Sequence, residues 1–292
     1  MIPSTPADRL AQLIDALPKP QPPFLVVGGM GLYLRQNTLQ RDVNRSPLVP
    51  VSDWPIARTT EDIDLLLPVE ILVQPESMSQ ISAALTRLGY DSIMDFLRFT
   101  LPEGQGPGKI DLLGGPITAE QRDQVKINGL RIRSRPAANP PLHARPTPEA
   151  LASDQFPFVT EVRSVRTDGT PLVCRVQVPN PFTYLLMKLH AYRDAATSAL
   201  PLKRQQAPKH AADLFRIVAM LDPAEFRQAR QLQQEHQAAA PSRTARETVQ
   251  QDFAREDHLG HLALIDQSQR TSHRFTPAHA ARFRETLAAI FP

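Results

Sequence analysis

The apolar residues of this chain change their period once. Up to about residue 178 they fall in short unbroken or alternating runs; beyond it they recur every three or four positions. Leu10, Leu13, Ile14 and Leu17 stand at helical spacing behind Pro6 and predict a short helix over 6–17. Phe24-Leu-Val-Val27 is an apolar run closed by Gly28-Gly29, the form of a buried strand, with a helix opening at Met30. Residues 36–57 are polar, carry three prolines and read as a long loop or insertion. Ile63–67 is a second strand, and Ile81, Leu85 and Leu88 mark a crossover helix over 73–88. Strands over 93–101 and 109–113 follow, separated by a Gly/Pro-rich turn. Asn128-Gly129 and Asp168-Gly169 predict hairpins over 125–133 and 158–178, with a proline-rich loop at 136–148 between them.

After Asn180-Pro181 the pattern is helical only. Phe182, Leu185, Leu186 and Leu189 form one stripe, and Leu214, Ile217, Val218 and Leu221 another. Further helices are expected over 223–238, 243–256 and 276–290, although the Gln/Arg/Ala-rich stretch 226–246 has little apolar periodicity. These elements predict an α/β (α+β) chain: a mixed-sheet domain over 1–178, then an α-helical domain over 179–292.

Composition narrows the class. At 292 residues and 41% hydrophobic content the chain can bury a sizeable core. Its apolar runs are far shorter than a membrane span, and the N-terminus has no secretory pattern. Cys174 is the single cysteine, which excludes an internal disulfide and a cysteine zinc cluster. A cytoplasmic location is the expectation. The net charge of +3 is uneven: −5 over residues 1–121, +4 over 122–175 and +4 over 176–292. An acidic part followed by basic parts suits metal-binding carboxylates on one side and phosphate-binding side chains on the other.

The candidate chemistry lies in Arg58-Thr-Thr-Glu-Asp-Ile-Asp-Leu65. Asp62 and Asp64 are two residues apart on a predicted strand, so their carboxylates share one face. In a strand buried on both faces such a pair calls for a cation, and Mg²⁺ with substrate phosphates is the usual answer. The alternative is a pair at the solvent-facing start of the strand, neutralised by Arg58. Asp111, in Lys109-Ile-Asp-Leu-Leu113, would complete a site for two ions about 3.5–4 Å apart if its strand lies beside the first. Gly28 and Gly29 permit a sharp turn into a helix whose amides can hold phosphate. Lys188 and Arg193 lie on the first C-terminal helix, Lys209 and Asp213 at i and i+4 on the second. Spacing alone favours a surface ion pair for the latter; the alternative is that the two helices deliver cations to a triphosphate and an acid to position one of them. No HExxH, GxSxG, P-loop or GxGxxG pattern occurs.

Together these residues resemble the nucleotidyltransferase superfamily with a DNA polymerase β-like core, and within it the AbiEii/AbiGii abortive-infection toxin family. Three blocks carry the likeness. Val26-Val-Gly-Gly-Met-Gly-Leu-Tyr-Leu-Arg35 is similar to the family's strand, Gly-Gly and helix opening. Arg58-Thr-Thr-Glu-Asp-Ile-Asp-Leu65 fits an Arg-x-(Ser/Thr)-x-Asp-(Ile/Leu)-Asp signature. Pro179-Asn-Pro-Phe-Thr-Tyr-Leu-Leu-Met-Lys-Leu-His-Ala-Tyr-Arg193 and Lys209-His-Ala-Ala-Asp-Leu214 look like its lysine-bearing helix and its Lys-Asp-x-x-Asp-Leu helix.

The resemblance implies that Asp62, Asp64 and Asp111 ligate Mg²⁺ and that Gly28, Gly29, Arg58 and Thr60 serve the nucleotide. It also implies that Lys188 and Asp213 form an essential pair, supported by Arg193 and Lys209. The reaction would move a nucleoside monophosphate from an NTP to an acceptor hydroxyl of RNA, above all a tRNA end, or of a protein, with an antitoxin as partner. Two departures stand out: the 32 residues between Gly29 and Asp62 exceed the family's usual gap, and His210 stands where Asp is frequent. The tail beyond Leu221 matches no recognised block. Two other readings keep parts of the same site: a small-molecule nucleotidyltransferase acting on an antibiotic, and a non-catalytic module that binds a nucleotide or RNA.

Overall fold

The computed structural model describes residues 5–57, 60–102, 108–166, 168–271 and 275–292. It divides into two compact units: residues 1–38, 58–148 and 153–179 in the first, and 39–57, 149–152 and 180–292 in the second.

The first unit is built on a mixed sheet. Helix α1 (Pro6–Ala16) opens it behind Thr5, whose hydroxyl accepts from the Asp8 amide while Asp8 accepts from the Thr5 amide. Its Leu10, Leu13 and Ile14 are buried, and α1 packs on the last two strands of the sheet. Strand β1 (Leu25–Val27) runs into α2 (Gly28–Leu39); β2 (Asp62–Leu67) is followed by a short α3 (Val69–Leu72) and by α4 (Pro75–Arg87). Then come β3 (Asp91–Ile93), β4 (Arg98–Thr100), β5 (Lys109–Gly114), β6 (Val125–Asn128), β7 (Arg131–Ser134), β8 (Arg145–Pro146), β9 (Phe158–Val165) and β10 (Pro171–Val178).

The main sheet has the order β3-β4-β5-β2-β1-β10-β9, with β8 beside the end of β5. β2 pairs with β5, and β1 with β10, in parallel; β1–β2, β3–β4, β4–β5 and β9–β10 are antiparallel. The two hairpins turn where expected, with Gly129 at φ 57° and Gly169 at φ 86°. Ile63, Leu65, Ile110 and Leu112 are buried on one face of the central pair.

One expected strand, over 93–101, is instead the β3–β4 hairpin. Alternation fails at Met94-Asp95-Phe96, where three successive residues take left-handed φ values of 52°, 56° and 63° and reverse the chain.

The second unit is helical: α5 (Pro181–Ala196), α6 (Pro201–Arg204), α7 (Ala207–Met220), α8 (Pro223–Glu235), α9 (Ala240–Thr248) with a π turn over Val249–Phe253, α10 (Leu259–Arg270) and α11 (Pro277–Ile290). Helix α5 is buried nearly all round, as a central bundle helix must be. Helix α10 was not expected. Its buried positions are Gly260, His261, Leu264 and Ser268, so an inward face exists with almost no apolar signature. Residues 40–57 do not form a loose loop. Val49 and Trp54 are buried, the Trp54 indole donates to the Val49 carbonyl at 2.8 Å, and the Leu48 amide donates to the Leu221 carbonyl at 2.6 Å. Arg45 joins Asp222 and Glu225 in the same unit. Among the described residues no helix is long and apolar enough to cross a membrane.

Candidate active site

Strand register brings the three predicted aspartates together. β2 and β5 run in parallel with Asp64 opposite Asp111 and Asp62 opposite Lys109. Registered residues on neighbouring strands point to the same face, with backbones about 4.8 Å apart, so Asp62, Asp64 and Asp111 form one acidic surface. The expectation of a pair buried on both faces is corrected: all three are half-buried, at the leading ends of their strands, because the apolar packing falls on Ile63, Leu65, Ile110 and Leu112 of the opposite face. The carboxylates therefore stay within reach of solvent and ligands.

Gly28 borders this surface. It follows Val27, which lies opposite Asp64 in the β1–β2 ladder, and has φ 64°. A Cβ placed on it would stand 1.8 Å from Asp64 Oδ2. Only glycine lets the backbone come this close to the carboxylate while turning into α2. Gly29 sits against Thr60, its nearest side-chain atom 3.2 Å from where a Cβ would be. The Thr60 hydroxyl accepts from the Asp62 amide at 3.3 Å and so caps the start of β2. Arg58, the other predicted nucleotide-binding residue here, lies outside the described residues.

The residue that sequence reasoning missed is Arg98. On β4 it lies directly opposite Asp111, and its guanidinium binds both carboxylate oxygens, Nε to Oδ1 at 2.5 Å and Nη2 to Oδ2 at 2.7 Å. Those hydrogen bonds push the Arg98 pKa above its ordinary value, burial opposes them, and the charges of Asp111, Asp62 and Asp64 add to the rise. The field of all three acids thus converges on one guanidinium. The available signal was the alternation Arg98-Phe99-Thr100, with Phe99 buried and its neighbours on the other face; it was hidden by reading 93–101 as one strand.

Oxygen donors of this kind are the hard ligands that Mg²⁺ takes. Asp62, Asp64 and Asp111 are the residues that could hold such an ion, and Arg98 holds Asp111 as it stands. In the present arrangement no group of three His, Cys, Asp or Glu side chains among the described residues is gathered around a metal-sized point.

The helical unit carries a second charged cluster. Lys188 lies mid-way along α5, where burial demands a partner for its ammonium. Asp213 of α7 supplies it, with Nζ to Oδ2 at 2.7 Å, and Arg216 Nη1 reaches Asp213 Oδ1 at 3.1 Å. Asp213 is 1% exposed, so it is not half of a surface pair with Lys209, which is itself exposed. Arg193, in the last turn of α5, meets Glu247 at 3.2 Å at the surface. The N-terminus of α5 is fixed by Asn180, whose side chain accepts from the Thr183 amide and donates to the Ala152 carbonyl at 2.7 Å.

No curated protein matches the chain. The family model described as "Nucleotidyl transferase AbiEii toxin, Type IV TA system" matches residues 14–292, and so takes in the tail beyond Leu221 that no sequence block had claimed. With nearly its whole length matched, the chain belongs to the AbiEii nucleotidyl transferase toxin family of type IV toxin–antitoxin systems.

Proposed function

We propose that the protein transfers a nucleoside monophosphate from an NTP to an acceptor hydroxyl on RNA, with a tRNA end as the first candidate, and that Asp62, Asp64 and Asp111 are its catalytic carboxylates. The observation that carries this reading is the register of Asp64 with Asp111, with Asp62 on the same face and the Gly28 backbone against Asp64. A protein acceptor and a small-molecule acceptor are arms of the same test.

Asp62 and Asp64 would hold Mg²⁺, and Asp111 would join them when Arg98 turns away. Bound there, the ion would neutralise charge on the triphosphate and ease deprotonation of the attacking hydroxyl. Gly28 and Gly29 open α2, whose first-turn backbone amides would serve the nucleotide phosphates. A carboxylate oxygen of Asp111 accepts the hydroxyl proton as the acceptor oxygen bonds to the α-phosphorus. The bond from that phosphorus to the bridging oxygen breaks, and its electrons leave with pyrophosphate. Arg98, freed from Asp111, has a guanidinium suited to phosphate oxygens. Lys188 and Asp213 would act as an essential pair within the helical unit, with Arg216 fixing its geometry. Arg193 and Lys209 would support it. Catalysis comes mainly from positioning and charge compensation.

The test is incubation with each α-labelled NTP, Mg²⁺ and total tRNA, beside arms containing protein extract or an aminoglycoside. Label on tRNA that disappears with Asp64→Ala supports the proposal. NTP binding without transfer to any acceptor would make the protein a nucleotide sensor, and transfer confined to the aminoglycoside would make it a small-molecule enzyme.

A further inference from the structure

The stretch with the weakest apolar periodicity in the helical unit lines a cleft. Its volume is about 370 Å³, the size of a small-ligand pocket, and it is bounded by α8, the turn after it, α9 and the end of α11. Arg227, Arg230 and Arg246 lie on its wall, Gln233, Gln234 and Gln237 lie between them, and no acidic residue takes part. Arg227, Arg230 and Gln234 stand at i, i+3 and i+7, which puts them on one side of α8. This explains a polar helix without an apolar stripe: much of its surface is committed to something other than the core.

Many arginines of this unit are neutralised by an acid; among the described residues the three in the cleft are not, and they stand together on one wall. Arg45, Arg193, Arg216, Arg255, Arg270 and Arg284 each have a carboxylate partner. Among the described residues no ion pair joins the three cleft arginines. Arg246 reaches only the Gln237 carbonyl, at 3.4 Å, and Arg230 lies over the Phe226 ring at 5.9 Å. A second observation points to the ligand. Gln233 is 3% exposed, and its Oε1 is buried without a hydrogen-bond partner. A buried acceptor of this kind is costly unless a donor reaches it.

We propose that this cleft is a binding site for single-stranded RNA. The three guanidiniums take successive phosphates, and the Gln233 amide oxygen accepts from the exocyclic amine of an adenine or cytosine, with Ala289 and Ile290 as an apolar edge for the base. A duplex does not suit a pocket of this size, because its bases are stacked inside.

The inference takes from the proposed function only the RNA nature of the acceptor. Its test omits NTP and Mg²⁺, so that its failure and a failure of nucleotidyl transfer are separable. Fluorescence anisotropy of labelled oligo(A), oligo(C) and oligo(U) RNA is measured against the full chain over a salt series. Combined Arg227→Gln, Arg230→Gln and Arg246→Gln should weaken binding on the order of tenfold or more and flatten the log–log salt slope by about 2, at roughly 0.7 per phosphate contact. Arg227→Gln alone, at an exposed position, should remove about a third of that slope change and guards against misfolding of the triple variant. Gln233→Leu should reduce the preference for oligo(A) and oligo(C) over oligo(U). Unchanged affinity and salt slope in the arginine variants would overturn the proposal.

Discussion

The two charged clusters answer the same electrostatic problem in opposite ways. On the β2–β5 face, three half-buried carboxylates lie side by side, and Arg98 binds one of them, Asp111, within reach of solvent. In the α5–α7 core, Lys188 and Arg216 close on Asp213 with side chains 11%, 3% and 2% exposed. The first arrangement leaves its ion pair at a surface that solvent reaches. The second is bound into the fold, since removing any member strands a charge away from water. Stability should therefore depend on the helical cluster, and ligand chemistry on the sheet.

The largest effect is expected where that difference is greatest. Asp213→Ala leaves Lys188 and Arg216 buried without their shared carboxylate and should cost about 3–5 kcal/mol. The melting temperature would fall on the order of 10 °C by calorimetry. Asp111→Ala, at a pair that solvent still reaches, should cost less, about 1 kcal/mol. Equal losses in the two variants would erase the comparison. Asp64→Asn reverses the pattern: transfer should drop on the order of 10³-fold, about 4 kcal/mol in the barrier, with the melting temperature hardly changed.

Gly28→Ala comes next. Its left-handed φ and the 1.8 Å approach to Asp64 Oδ2 should together cost about 1–3 kcal/mol and displace that carboxylate. Gly29→Ala, with its nearest neighbour at 3.2 Å, should be milder in both stability and transfer. Arg98→Gln frees Asp111 and should tighten divalent-metal binding roughly fivefold, about 1 kcal/mol, read by calorimetric titration. The smallest effect concerns pH. Burial, and then the charge of Arg284, lower the His261 pKa below its ordinary value. The neutral ring is thus favoured in the fold: its contribution is complete above the unfolded pKa near 6.5 and is lost as pH falls through the lower folded value. Thermal scans between pH 7.5 and 5.5 should show a loss that His261→Gln reduces.

What was legible in the sequence follows from the range of the forces involved. The apolar run before Gly28-Gly29, the alternation that set Asp62 and Asp64 on one face, and the Asn-Gly and Asp-Gly turns are local signals, and the structure has the strand and both hairpins there. Arg98 was hidden by a left-handed turn at Met94-Asp95-Phe96, which no glycine announces. Helix α10 was hidden by an inward face of Gly260, His261 and Ser268, with Leu264 as its single apolar member. The burial of Asp213 needed a tertiary fact, the closeness of α5 and α7, whereas i, i+4 spacing suggested a surface pair. Residues 36–57 seemed a loop or insertion because they are polar and carry three prolines, yet α2 runs on to Leu39 and the buried Val49 and Trp54 anchor the rest.

The most direct test of the acidic face is a calorimetric titration of Mg²⁺ or Mn²⁺ into the protein with a non-hydrolysable NTP, for the unmodified chain, Asp64→Asn and Asp213→Asn. The account predicts that Asp64→Asn abolishes saturable metal uptake while its melting temperature holds, and that Asp213→Asn loses stability first. Metal uptake of undiminished affinity and stoichiometry in Asp64→Asn would contradict it.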